Sequence, residues 1–350
     1  KYMSNQPPIE VPQGAIRLNT DSQKLEFFAQ DRWYEFATHS NVFDGGSGRG
    51  IAFLGASPYA IDFSNISSGG NAQDFGDDIG SRSANGCGGD RTRIVSCGGQ
   101  TPTFVNNISF ITIASQGDAQ DFGDMQNSFR GWGSKASNGT RTCLTGGAVS
   151  PGGQAQQRNN IEFITVQTTG NSIDFGDLTE DGGTEAAASP TRAVMMGRYN
   201  DTTPGTSGGR RNNIDFITMA TTGNAQDWGD LSKNTNACMT CSSAVRGVAG
   251  GGGGGSPDPD QTDIIRFVTF STTGNATDFG NLVGGGKQSG SAFGDCVRGV
   301  WTAGYNLAPT GSTNQMDYIN IATGGTSVDF GDQNFTGASS ATSNAHGGLA

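Results

Sequence analysis

Three observations predict an all-β fold. One unit recurs six times at a near-constant spacing, each copy carries four short β-type runs split by Gly, Asn and Ser turns, and helical periodicity is absent throughout. The expected architecture is a six-bladed β-propeller over residues 49–350, its C-terminal strand closing the first blade. A small N-terminal β-meander (residues 1–38) and a linker (39–48) precede it.

The repeat is anchored by the tetrapeptide Asp-aromatic-Gly-acid. Its first residues are Asp74, Asp121, Asp174, Asp227, Asp278 and Asp329, at intervals of 47, 53, 53, 51 and 51 residues. Ahead of each copy lies an apolar run: IDFSNI, ISFITI, IEFITV, IDFITM, IRFVTF and MDYINI. An arginine column fixes the register a second time, at Arg49, Arg93, Arg141, Arg192, Arg246 and Arg298, each two residues before a small apolar side chain. One unit therefore reads as a small-residue strand, an Arg-led strand, the apolar strand, and a strand reaching the tetrapeptide. The apolar strand lacks alternation, as expected of a strand covered on both faces.

The first unit begins at the Arg-led strand, with no small-residue strand before it. SSATSNAHGG, near the C-terminus, has that missing composition. Pairing the two ends would leave no unpaired sheet edge to aggregate.

Composition narrows the function. The 350 residues carry a net charge of −11 with only 15% charged side chains, against ~25% in a typical soluble chain. Phosphate would repel such a chain, so neither nucleic acid nor an anionic membrane is an expected partner. No apolar run approaches the ~18 residues of a membrane-spanning helix, and KYMSNQPPIEVPQG lacks the apolar core of a secretory signal.

The Gly-Gly after the Arg-led strand and the strand order resemble kelch-type propellers. More specifically, units of the form ITIATTGN-ATDFGDL resemble repeats of virion structural proteins from tailed, cyanophage-like bacteriophages. The N-terminal Gly14, Ile16, Arg17, Asn19, Thr20, Leu25, Glu26 and Trp33 resemble a short β module of phage tail-fibre proteins. These resemblances imply a non-enzymatic particle-surface or tail protein, held by residues 1–38 to other virion proteins. Its propeller would be displayed toward a host-surface glycan or protein. Two other readings stay open: a capsid or tail decoration protein touching only virion partners, and a propeller glycosidase or lyase acting on host polysaccharide.

No catalytic, cofactor or metal site is expected. The DFG triplets lack the phosphate loop and catalytic loop of a kinase. The chain has two histidines, His39 and His346, too few for a triad or a multi-imidazole metal centre. Cys238 and Cys241 form a lone CxxC, and Asp258 and Asp260 lack a full calcium loop. The repeated Asp is expected to cap a turn or accept backbone amides, the aromatic to pack between blades, and the Arg to pair with a carboxylate. Binding is expected on the rim where the long, variable connections emerge, at Phe129, Arg130, Trp132, Tyr199, Arg210, Arg211 and Tyr305.

Overall fold

The computed structural model describes residues 11–19, 24–35, 48–55, 59–129, 136–149, 156–200, 209–254, 262–307, 310–336 and 339–349. They form an all-β protein of antiparallel sheets. The chain separates into two compact units, Lys1–Asp44 and Gly45–Ala350, so the division falls within the segment expected to be a linker.

The first unit is a three-stranded meander: Ile16–Asn19, Lys24–Ala29 and Arg32–Glu35. Gln30 and Asp31 both take positive φ (49° and 58°), the type I′ geometry that matches the twist of a two-residue hairpin. On one face, buried Glu26 accepts from Arg17 Nε at 2.7 Å and Asn19 Nδ2 at 2.9 Å. The Arg17 guanidinium lies 4.1 Å from the Trp33 ring centre. On the other face Ile16, Leu18 and Leu25 are exposed.

The second unit contains six runs of four antiparallel strands, here sheets I to VI. Sheet I orders Ser339–Ser343, Arg49–Leu54, Ala60–Asn65 and Gln73–Asp77. Sheet II orders Gly86–Gly89, Arg93–Cys97, Thr103–Thr112 and Gln120–Phe129. Sheet III orders Ala136–Ser137, Arg141–Val149, Gln156–Thr165 and Ile173–Asp177. Sheet IV orders Gly183–Ala188, Arg192–Tyr199, Arg210–Thr218 and Gln226–Asn236. Sheet V orders Met239–Ser242, Arg246–Gly250, Ile264–Thr269 and Thr277–Asn281. Sheet VI orders Ala292–Gly294, Arg298–Trp301, Gln315–Asn320 and Val328–Asp332. The C-terminal strand pairs with the strand led by Arg49, in register from Ser339↔Leu54 to Ser343↔Gly50.

Consecutive sheets are joined by main-chain hydrogen bonds. The TTGN-type connector of each sheet donates two amides to the tetrapeptide strand of the sheet before it. Gly117 and Ala119 bond Phe75 and Asp77, Gly170 and Ser172 bond Phe122 and Asp124, and the same pairing recurs through Gly325 and Ser327. Gly70 and Ala72 of sheet I bond Phe330 and Asp332 of sheet VI. All twelve distances are 2.7–2.9 Å. The glycine of each tetrapeptide takes φ of 138–148°, because its α-carbon faces the incoming connector. The aromatic of the tetrapeptide stands edge-on to an aromatic of its own sheet, as in Phe110–Phe122 and Phe216–Trp228. It also joins an apolar cluster shared with the next sheet; Phe122, for example, packs with Val95 and Ile108 of sheet II and Leu144 and Ile164 of sheet III.

Two expectations about the repeat columns need correction. Asp74, Asp121, Asp174, Asp227, Asp278 and Asp329 are exposed and neither cap a turn nor accept an amide. The amide two residues beyond the aromatic is instead capped from the next sheet: Asp77 by Asp118, Asp124 by Asn171, Asp177 by Asn224, Asp230 by Asn275, and Asp332 by Asn71. Among the described residues the arginines of the column pair with no carboxylate. Each guanidinium stacks on the aromatic of its own third strand, 4.6–5.4 Å from the ring centre. Its Nη1 donates to carbonyls at the end of the third strand of the following sheet, as Arg141 does to Met219 and Ala220 at 3.1 Å. Arg298 of sheet VI reaches Ile66 and Ser67 of sheet I. Carbonyls need no counter-charge, so the column adds no buried ion pairs whose desolvation would offset their attraction.

Past its last strand the chain continues inward. Asn344 Oδ1 accepts from the Arg49 amide at 2.8 Å, the place that Asp90, Asn138, Ser243 and Asp295 fill in other sheets through the residue three before the Arg. A 3₁₀ turn, Gly347–Leu349, is wholly buried. A β-carbon on Gly348 would lie 1.9 Å from Ser137 O, and one on Gly347 2.3 Å from Ser243 O, which is why two glycines stand here. Buried His346 donates through Nε2 to Gly89 O at 3.0 Å and accepts the Gly348 amide on Nδ1 at 3.2 Å, so both ring nitrogens are committed in the neutral form.

Burial pushes the His346 pKa down to about 4, with the Gly89 carbonyl and Asp90 opposing the shift and Arg91 adding to it. The unfolded chain takes up this proton near pH 6.5, before the folded chain does. Stability from this group is complete above pH 6.5 and falls as pH drops to about 4, by up to about 1.4 kcal/mol per unit. The wild-type melting temperature is expected to drop more between pH 7.5 and 4.5 than that of His346→Gln, compared by circular dichroism. Parallel losses would remove His346 as the cause.

Candidate recognition groove

Strand ends of sheets II and III border one another on one side of the second unit. A groove of about 500 Å³ opens there. One wall is the end of sheet II's fourth strand, Gln126, Asn127 and Ser128. The other is sheet III, with Val149 ending its second strand and Arg158, Asn159 and Asn160 opening its third.

Glu162, buried in the third strand of sheet III, holds several of the lining residues. Its Oε2 accepts from Ser172 Oγ at 2.6 Å and the Gln126 amide at 3.1 Å. Its Oε1 accepts from Asn160 Nδ2 at 3.2 Å and, at the 3.5 Å limit, from Asn127 Nδ2. Four donors thus satisfy the buried carboxylate. It also fixes two amides that would otherwise rotate: with both –NH₂ groups committed to Glu162, Asn127 and Asn160 keep their carbonyl oxygens for a ligand. With the Arg158 guanidinium and Asp174 on the lining, the groove carries donors and acceptors at close spacing. That set suits a neutral, hydroxyl-rich molecule better than an anion or an apolar peptide.

Of the residues expected on the rim, those whose side chains are described stand on two different sheets. Phe129 ends the sheet II strand beside the groove, and its side chain, with Arg130 and Trp132, lies outside the described residues. Tyr199 and Arg210 face each other across the sheet IV hairpin, next to the Arg198–Arg211 pair. There Arg210 Nε donates to Asn236 Oδ1 at 2.8 Å, and Arg211 stands 4.0 Å from Glu180. Tyr305, exposed, sits on a separate three-stranded sheet with Lys287–Gln288, Gly304–Leu307 and Thr310–Thr313. The groove residues were missed because they lie inside strands. The Asn-Asn before the apolar run, at Asn106, Asn159 and Asn212, was the signal that could have located them.

The other chemistry-bearing groups have structural surroundings. The six cysteines are thiols outside any disulfide, and Cys238 and Cys241 are buried. Burial pushes the Cys143 thiol up to about 12, far from the thiolate a nucleophile needs. Among the described residues no three His, Cys, Asp or Glu side chains are grouped to hold a metal ion. His39, Asp258 and Asp260 lie outside the described residues. Scanning the chain against models of known protein families and against curated protein sequences gives no match.

Proposed function

We propose that this chain is a non-enzymatic structural component of a tailed-phage virion, presenting a six-bladed kelch-like propeller for recognition of the host surface. Four features support the propeller. The C-terminal strand pairs with the strand led by Arg49, the connector bonds run from each sheet to the next and from VI to I, and the arginine column makes the same circuit. The innermost strands also neighbour one another in that order, with the buried turn at Gly347–Leu349 among them. The exposed Ile16, Leu18 and Leu25 face of the N-terminal meander supports attachment through residues 1–38 to other virion proteins.

The observation that carries the recognition role is the pre-set amide pair over Glu162. Both oxygens of that carboxylate are occupied, which favours binding over acid–base chemistry, and its ligand would be a host-surface glycan. The test uses the full chain, fluorescently labelled, on an array of bacterial surface polysaccharides. Binding is expected, with affinity reduced about tenfold or more by Asn160→Ala, measured at a temperature where near-ultraviolet circular dichroism shows the variant to be folded. Failure to retain any polysaccharide, with normal binding to particle proteins, would replace recognition by a decoration role. Release of reducing sugar during the assay would replace it by an enzymatic one.

A further inference from the structure

At the centre of every third strand, between an aliphatic residue and an aromatic, each sheet places a buried polar residue: Asp62, Ser109, Glu162, Asp215, Arg266 and Asp317. Each meets a polar group from the stretch that follows the tetrapeptide of the preceding sheet. Asp62 accepts from Asn334 N at 3.1 Å and Nδ2 at 2.7 Å. Ser109 donates to Asp78 at 2.6 Å, and Asp78 is paired with Arg82. Glu162 has the partners described above. Asp215 accepts from Thr179 N at 3.1 Å and from Arg198. Asp317 lies 3.0 Å from Lys287 Nζ.

Five of these six sockets thus contain one carboxylate, supplied by the third strand in four sheets and by the incoming segment in sheet II. The socket between sheets IV and V reverses the pattern. Arg266, fully buried, occupies the strand position, and the incoming segment offers Ser232, whose Oγ accepts from Nε at 2.7 Å. Among the described residues Nη1 and Nη2 have no partner. Asp278, beside Arg266 in register on the fourth strand, is exposed and forms no ion pair with it. Two more donor-bearing groups that border the same seam, Trp228 Nε1 and Thr235 Oγ1, are buried and equally unpartnered. A guanidinium without counter-charge in such surroundings is strongly disfavoured.

We propose that the seam between sheets IV and V binds a small monovalent anion, of chloride or bromide size, on Nη1 and Nη2 of Arg266. The anion fills the role that a carboxylate fills in the other five sockets. Full burial of Arg266 limits the ligand to a small ion, and the two guanidinium nitrogens select for negative charge. The inference stands apart from the virion reading, since it concerns only how this joint is completed.

The full chain is melted in sodium chloride from 5 to 500 mM, with sodium gluconate holding ionic strength constant. The wild-type melting temperature is expected to rise by about 3–5 °C in a saturable manner, as linkage to a site in the folded state requires. Arg266→Met is expected to abolish the dependence. Crystals grown with sodium bromide are expected to give an anomalous peak within hydrogen-bonding distance of Nη1 or Nη2. A flat chloride response in the wild type, or persistence of the response in Arg266→Met, overturns the proposal. Should Arg266→Met fail to fold, the bromide experiment decides alone, and no peak at Arg266 overturns it.

Discussion

A chain ending at Thr336 is expected not to fold over residues 45–336. The lost segment contributes a whole strand in five-residue register with Gly50–Leu54, the Asn344 cap on the Arg49 amide and the His346 bond to Gly89. It also buries Ala341 and Leu349. Without it Arg49–Leu54, buried at five of its six residues, becomes an apolar sheet edge. The loss is comparable to the ~5–15 kcal/mol that usually separates folded from unfolded chains. Size-exclusion chromatography and near-ultraviolet circular dichroism should show aggregated or non-native material. Moving residues 337–344 to a position just before Ser47 would put Asn344 three residues before Arg49, the spacing found in other sheets, and this permutant is expected to recover cooperative melting. A truncated chain with wild-type melting would disprove the closing role of the C-terminal strand.

Gly123→Ala is expected to have the second largest effect. The glycine holds φ of 145°, a conformation nearly confined to glycine, and an added β-carbon would lie 2.5 Å from the carbonyl carbon and oxygen of Gly170. The obstacle is main chain of sheet III, which cannot rotate aside as a side chain can. Strain and clash together should cost about 3 kcal/mol or more and lower the melting temperature by about 5 °C or more. Gly117→Ala is the control for replacing a glycine at similar φ, since its β-carbon meets nothing within 4 Å. Equal losses in the two variants would mean that backbone strain, and not the approach of the neighbouring sheet, sets the effect.

The repeating elements were legible in the sequence because each sheet solves the same packing problem with the same residue types. The tetrapeptide, the arginine column and the Gly-Asn connector all stand out by recurrence. Their partners did not. Arg141 bonds main-chain carbonyls of another unit, and a carbonyl leaves no trace in residue identity. The tetrapeptide Asp looks like the capping residue, yet the cap comes from Asn171 or its equivalents one sheet on.

The sockets were hidden for a different reason. Asp62, Ser109, Glu162, Asp215, Arg266 and Asp317 do not resemble a column, because what is constant is the pair, and its second member lies at a shifting offset. The groove was obscured by the habit of seeking binding residues in loops. Asn127 and Asn160 belong to strands, and it is buried Glu162 that turns them outward.

Because the joints between neighbouring sheets are made by main-chain bonds, buried clusters and a few recurring Arg, Asn and Asp side chains, most other side chains facing solvent have little part in holding the sheets together. Substitutions and insertions at the outer connections can therefore accumulate with little penalty to the frame. A protein built this way can change what it contacts quickly while its architecture stays fixed, which is the evolutionary freedom demanded of any molecule whose target keeps altering.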